Sequence, residues 1–202
     1  NGIDTELFKP DYSKNEELRQ KFSISNDTIV IGTVRGLIPK MGIDHLIYAS
    51  EKIISRNKNV KFLIVGDGIL RNELEQLCKE LNVFEHFIFL GDRKDIPELL
   101  NIFDIFVMPS VWETFGIAAI EAMAVEKPVI GYAVGGLAEV IKNNESGVLI
   151  KERNFNELAT EIEKLVNNEK IRIELGKKAR QFVLNNFSIN KTVDNFVNLY
   201  YS

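Results

Sequence analysis

Six short runs of apolar, largely β-branched residues recur along this chain, and each is followed by a stretch with helical periodicity. That alternation constrains the fold more than any other feature. The runs are Thr28–Val34, Val60–Val65, Phe87–Leu90, Ile105–Met108, Pro128–Tyr132 and Gly147–Ile150. They are too short for buried helices and show little polar alternation, so they read as strands covered on both faces, as in a parallel sheet. The helical stretches are Ile43–Arg56, about Leu70–Leu81, Ile96–Asn101, Gly116–Val125 and a turn from Gly135-Gly136 through Lys142. Three more helices follow at 155–167, 169–184 and 190–200. The expected fold is α/β, a Rossmann-like doubly wound parallel sheet of about six strands with a helical C-terminal tail. Residues 1–13 read as a looped lead-in broken by Pro10, with Ser13 capping a short helix through Lys21.

At 202 residues the chain is long enough for one sizeable core. The net charge is −4 and the 25 basic residues are dispersed, which argues against nucleic-acid binding. The single cysteine, Cys78, excludes an intrachain disulfide and fits a reducing, cytoplasmic compartment. It falls on the apolar stripe of a helix and reads as a packed thiol. No apolar run reaches membrane-spanning length. The chain opens on Asn1-Gly2-Ile3-Asp4 without a methionine, so a preceding segment is expected to have been removed.

The chemistry concentrates between Pro109 and Ala124. A strand ends at Pro109, and after a polar turn the chain becomes a helix that is apolar throughout except for Glu121. An unpaired buried carboxylate is costly. Glu121 is therefore either a ligand contact or one half of a core ion pair with a distant lysine or arginine. Glu113 lies at the strand-to-helix turn, where open α/β sheets bind ligands. The N–H groups of Phe115, Gly116 and Ile117 are expected to be the open donors of that helix terminus, suited to a phosphate. Arg35 and Lys40, in the loop after the first strand, are two cations at the same end of the sheet; they either meet a phosphate or are solvated.

Other nucleotide sites fit poorly. Gly66-Asp67-Gly68-Ile69-Leu70-Arg71 carries two glycines of a dinucleotide fingerprint and an arginine in place of the third. Gly-Lys-Ser/Thr and G-x-S-x-G are absent, and His45 and His86 stand apart from any cluster with metal-ligand spacing. Cations with donors for a diphosphate, and carboxylates for sugar hydroxyls, together suit a nucleotide sugar.

The run from Glu113 to Ala124, with Lys127-Pro128-Val129-Ile130-Gly131 and Val134-Gly135-Gly136-Leu137 after it, resembles the E-x7-E region of the retaining glycosyltransferases of family 4, which have the two-domain GT-B fold. Ile31-Gly32-Thr33-Val34, Val65-Gly66-Asp67-Gly68 and Phe89-Leu90-Gly91 fall in that family's order, so the resemblance covers nearly the whole chain. It implies the C-terminal, donor-binding domain over 1–202, with 1–13 as interdomain lead-in, 190–202 as tail helix and the N-terminal acceptor domain absent. It further implies a donor, a UDP- or GDP-sugar, and transfer with retention to a glycan or lipid-linked acceptor, as in polysaccharide or lipopolysaccharide biosynthesis. No metal or other cofactor is implied. Peripheral membrane contact is expected only through the missing domain, and the isolated chain is expected to be inactive.

By the same resemblance Glu121 contacts the nucleotide ribose and Glu113 the donor sugar. Phe115, Gly116 and Ile117 line sugar and diphosphate, and Arg93 falls where the base is held. Arg35 and Lys40 match the family's two diphosphate cations, yet each stands one residue early. The family pattern puts Gly36 at the arginine and Met41 at the lysine. A rewound loop is expected to restore both. Two other readings share these features: a nucleotide-sugar epimerase with the same fold, and a non-catalytic nucleotide-sugar-binding module.

Overall fold

A computed structural model describes residues 2–151, 153–193 and 197. Six strands, β1 (Ile29–Val34), β2 (Val60–Val65), β3 (Phe87–Gly91), β4 (Ile105–Met108), β5 (Val129–Tyr132) and β6 (Val148–Ile150), pair in parallel in the order β3-β2-β1-β4-β5-β6. The order reverses between β1 and β4, which register through Ile31–Ile105 and Gly32–Phe106. Such a switch point leaves a crevice beyond the strand ends.

The strand period of two divides the core. Ile31, Phe62, Ile64 and Val107 face one layer, built on α2 (Ile43–Arg56), α3 (Arg71–Glu80) and α7 (Phe155–Val166). Val30, Leu63, Phe106 and Met108 face the other, with α4 (Ile96–Ile102), α5 (Ile117–Ala124) and α8 (Glu169–Asn186). Both faces are covered, which is why the strands carry so few polar residues. α5 is buried at Ala119, Ile120, Ala122, Met123 and Ala124.

Local differences have local causes. α1 (Asn15–Lys21) has Lys14 at its N-cap and no side-chain cap; Ser13 instead donates its N–H to Asp11 Oδ1 at 2.9 Å. α6 spans only Leu137–Val140 and does not reach Lys142, whose N–H is taken by Ser146 Oγ at 3.0 Å. α7 and α8 start where Asn154 and Asn168 accept from the first-turn N–H groups. Residues 189–193 are helical; of the expected 190–200 helix, 194–196 and 198–200 lie outside the described residues.

The lead-in is not a free loop. Ile3 donates to Phe187 O and accepts from Ile189 N–H, both at 2.8 Å. Asn101, buried in α4, accepts from Asp11 N–H and donates to Lys9 O. Its own carbonyl takes the Nζ of buried Lys127 at 2.9 Å, above the Tyr12 ring.

Candidate functional site

β1 and β4 end side by side, and their following loops bring Arg35 to Glu113. The guanidinium Nη1 donates to Glu113 Oε2 at 2.5 Å, and the two side chains are 10% and 12% exposed. Glu113 Oε1 accepts from the N–H groups of Thr114, Phe115 and Gly116 at 3.0, 3.4 and 3.2 Å. Gly116 sits at φ +91°, a conformation glycine adopts cheaply, and turns the chain into α5 so that these amides converge. The expectation of three open donors is thereby corrected. The amides of Phe115 and Gly116 are taken by the nearest carboxylate, which the positive end of a helix attracts. The N–H of Ile117 has no hydrogen-bond partner among the described residues.

Glu121 lies one helical stretch deeper. It has no ion-pair or hydrogen-bond partner among the described residues, so it is not half of a core ion pair there. Burial pushes its carboxyl up to about 7. It borders a cavity of about 530 Å³ whose walls include Phe8 from the lead-in, Val34 at the end of β1, and Lys94, Asp95 and Ile96 at the start of α4. Arg93 does not line that cavity. It is folded back on Asp95, with Nε to Oδ1 at 2.8 Å and Nη2 to Oδ2 at 2.5 Å, and this pair holds the Asp95 carboxyl below its usual range.

Lys40 is not brought to the Arg35–Glu113 pair. The loop is indeed rewound, with Lys40 at φ +74° and Gly42 at φ +71°. Lys40, however, borders a second cavity of about 490 Å³, with Glu73 and Glu80 of α3. It makes no side-chain hydrogen bond or ion pair among the described residues. The side chain closest to Arg35 on that loop is Met41, whose Sδ lies 2.6 Å from Nη2.

Several contributors to the site carry no chemical motif. Phe8, Val34 and Ile96 shape the Glu121 cavity through tertiary contact alone. Gly135 and Gly136 press their backbone against the carbonyls of Glu113 and Thr114. The paired glycines after β5 are the only sequence signal of that close approach.

A parallel sheet in this order, with carboxylates and an arginine gathered beyond its switch point, is the Rossmann-like half of a GT-B fold. The structure superimposes on that of Anabaena HepE in complex with UDP and glucose with a TM-score of 0.92, at 27% identity over 100% of this chain and 55% of that one. It also matches the C-terminal domain of the Francisella tularensis group 1 glycosyl transferase LpcC, with a TM-score of 0.82 at 26% identity, covering 93% of this chain and 100% of that one.

The chain belongs to the glycosyl transferases group 1 family, which it matches over residues 14–182. The capsular polysaccharide biosynthesis glycosyltransferase CapM of Staphylococcus aureus is 35% identical over 93% of this chain and 49% of its own length. The chain spans about half the length of the curated relatives it matches. Among the described residues no helix is long and apolar enough to cross a membrane.

Proposed function

We propose that this chain is the donor-binding half of a retaining glycosyltransferase that moves a sugar from a UDP- or GDP-sugar to a glycan or lipid-linked acceptor. The single observation that carries the reading is Glu121. A carboxylate with no partner among the described residues borders a cavity of about 530 Å³, eight residues beyond a second carboxylate at a helix N-terminus. Glu121 accepts from the ribose hydroxyls and Glu113 from the donor sugar. The segment Phe115–Gly116–Ile117 lies against sugar and diphosphate, with the Ile117 amide free to donate. Arg93, through Asp95, steadies the rim where the base enters.

In the reaction the bond between the sugar's anomeric carbon and the diphosphate oxygen breaks, and charge builds on the leaving diphosphate. Arg35 is the nearest cation to that charge; Lys40, the expected second one, must leave the α3 cavity to reach it. Fixed donors and charges at a leaving group stabilise the transition state directly. The diphosphate takes the proton of the acceptor hydroxyl, which attacks from the same face, so configuration is retained. We assign the charge neutralisation to these side chains and amides rather than to a metal. The relatives' greater length leaves the acceptor to a second domain, through which any contact with a membrane surface is made. On this reading the present chain binds a cytoplasmic nucleotide sugar without transferring its sugar.

The test is Glu121→Ala. Loss of a charge-assisted hydrogen bond should weaken nucleotide binding by about 1.5–3 kcal/mol while the melting transition persists. Calorimetry showing wild-type affinity for both UDP and GDP would overturn the assignment of the cavity.

A further inference from the structure

Arg35 and Glu113 project from the ends of two different strands, and both side chains are nearly buried where they meet. The remaining donors of the guanidinium are poorly used. Nη2 reaches only the Met41 sulfur, a weak acceptor, and Nε is buried with no partner among the described residues. Glu113 is therefore the contact that holds Arg35 in place. The reverse dependence follows from counting acceptor sites. Glu113 Oε1 is filled by three amides, whereas Oε2 carries one hydrogen bond, from Arg35. A carboxylate oxygen offers about two acceptor directions, so one site remains on Oε2, and Arg35 sets where it points.

The position of the arginine explains this pairing. Along extended backbone, neighbouring side chains point to opposite sides. An arginine at 35 rather than at 36 is thereby turned toward the β4–α5 loop, and Gly36 leaves the other side open: a Cβ there would meet nothing closer than 3.8 Å.

We propose that Arg35 is a positioning residue for Glu113, aiming the one free acceptor site of its carboxylate at a hydroxyl of the donor sugar. This rests on the donor-site reading given above and adds to it the residue that sets the sugar contact. The prediction separates positioning from simple charge attraction to the diphosphate. Positioning acts on the gain in affinity that the sugar brings, whereas charge attraction acts on the diphosphate itself.

The experiment is calorimetry of this chain with UDP, GDP, UDP-glucose, UDP-galactose, UDP-N-acetylglucosamine and GDP-mannose, taking the tightest sugar nucleotide and its parent diphosphate. The readout is the dissociation constant of the diphosphate divided by that of the sugar nucleotide, a ratio that is the gain in affinity the sugar brings. Arg35→Met should lower that ratio about tenfold, and Arg35→Lys, which keeps the charge but not the fork, about threefold. In a Glu113→Gln background neither change should lower it further. Met41→Leu, which removes only the sulfur contact, should leave the ratio intact. Should Arg35→Met fail to fold, as loss of one partner of a buried pair can cause, Arg35→Lys alone and in the Glu113→Gln background decides. The proposal is overturned if the ratio holds while diphosphate affinity falls, if the two substitutions multiply, or if Met41→Leu matches Arg35→Lys. A wild-type chain that binds no nucleotide at all overturns the donor-site reading itself. Binding of the diphosphates with no gain from any sugar overturns only the role of Glu113 and, with it, of Arg35.

Discussion

The backbone of Gly135 lies against the carbonyl oxygen of Glu113, so closely that a Cβ built on Gly135 would overlap it. The next residue, Gly136, donates its N–H to that same oxygen at 3.2 Å. The turn after β5 thus props the loop after β4 from behind, while Arg35 holds its carboxylate from the front. Glu113 is fixed by three segments far apart in sequence.

Gly135→Ala should therefore damage the site. Gly135 has φ +47°, and an added methyl group has to displace backbone, not a flexible side-chain end. We expect a stability loss of about 2–4 kcal/mol, read by urea denaturation, together with loss of sugar-nucleotide binding. A variant within about 0.5 kcal/mol of wild type would show that the Glu113 loop is free to yield.

Glu121 should make donor affinity depend on pH. Its carboxyl is raised to about 7, above its ordinary 4.5. The folded chain thus binds the extra proton between those values, and the stability from this group is full below 4.5 and lost as pH rises through 7. On the proposed role of Glu121, ribose hydroxyls donate to the ionised form, so binding would expel that proton. Affinity for a sugar nucleotide, whose diphosphate does not titrate in this range, should rise up to about tenfold between roughly pH 6 and 8. Glu121→Gln should flatten the profile and make the unliganded chain more stable at about pH 8. A flat wild-type profile in calorimetry would contradict both statements.

Lys127 gives the opposite alkaline signature. Burial lowers its amine from 10.5 to about 8. Between those values the unfolded chain binds more protons, so stability from this group grows as pH rises through the window. Relative to Lys127→Met, the wild type should gain about 2 kcal/mol between roughly pH 7.5 and 9.5. Equal slopes for the two proteins in paired denaturation curves would mean that the ammonium is solvated.

Cys78 should be inert in the native state. It is fully buried on α3, and burial pushes its thiol up to about 12. A thiol-reactive dye should label it only after denaturant unfolds the chain. Rapid labelling of the native protein at about pH 8 would show that α3 opens readily.

The sequence by itself determined the six strands, their parallel pairing and the helices between them, because an uninterrupted β-branched run such as Ile29–Val34 is stable only with both faces covered. It also singled out Glu121, since a lone carboxylate in an otherwise apolar helix demands a reason. What it could not determine were contacts between segments distant in the chain. That Arg35 pairs with Glu113 across 78 positions depends on β1 and β4 lying side by side. That Lys40 turns instead to α3 depends on the left-handed turn at residues 40 and 42, which no local propensity sets. The amides of Phe115 and Gly116 are a different case. They read as open donors because helix termini are open in isolation, but the carboxylate that takes them stands only two and three residues upstream, a local contact that periodicity does not report. Periodicity reports burial, which is a property of each segment. Hydrogen-bond partners from distant segments, such as Arg35 for Glu113, are decided only when those segments meet.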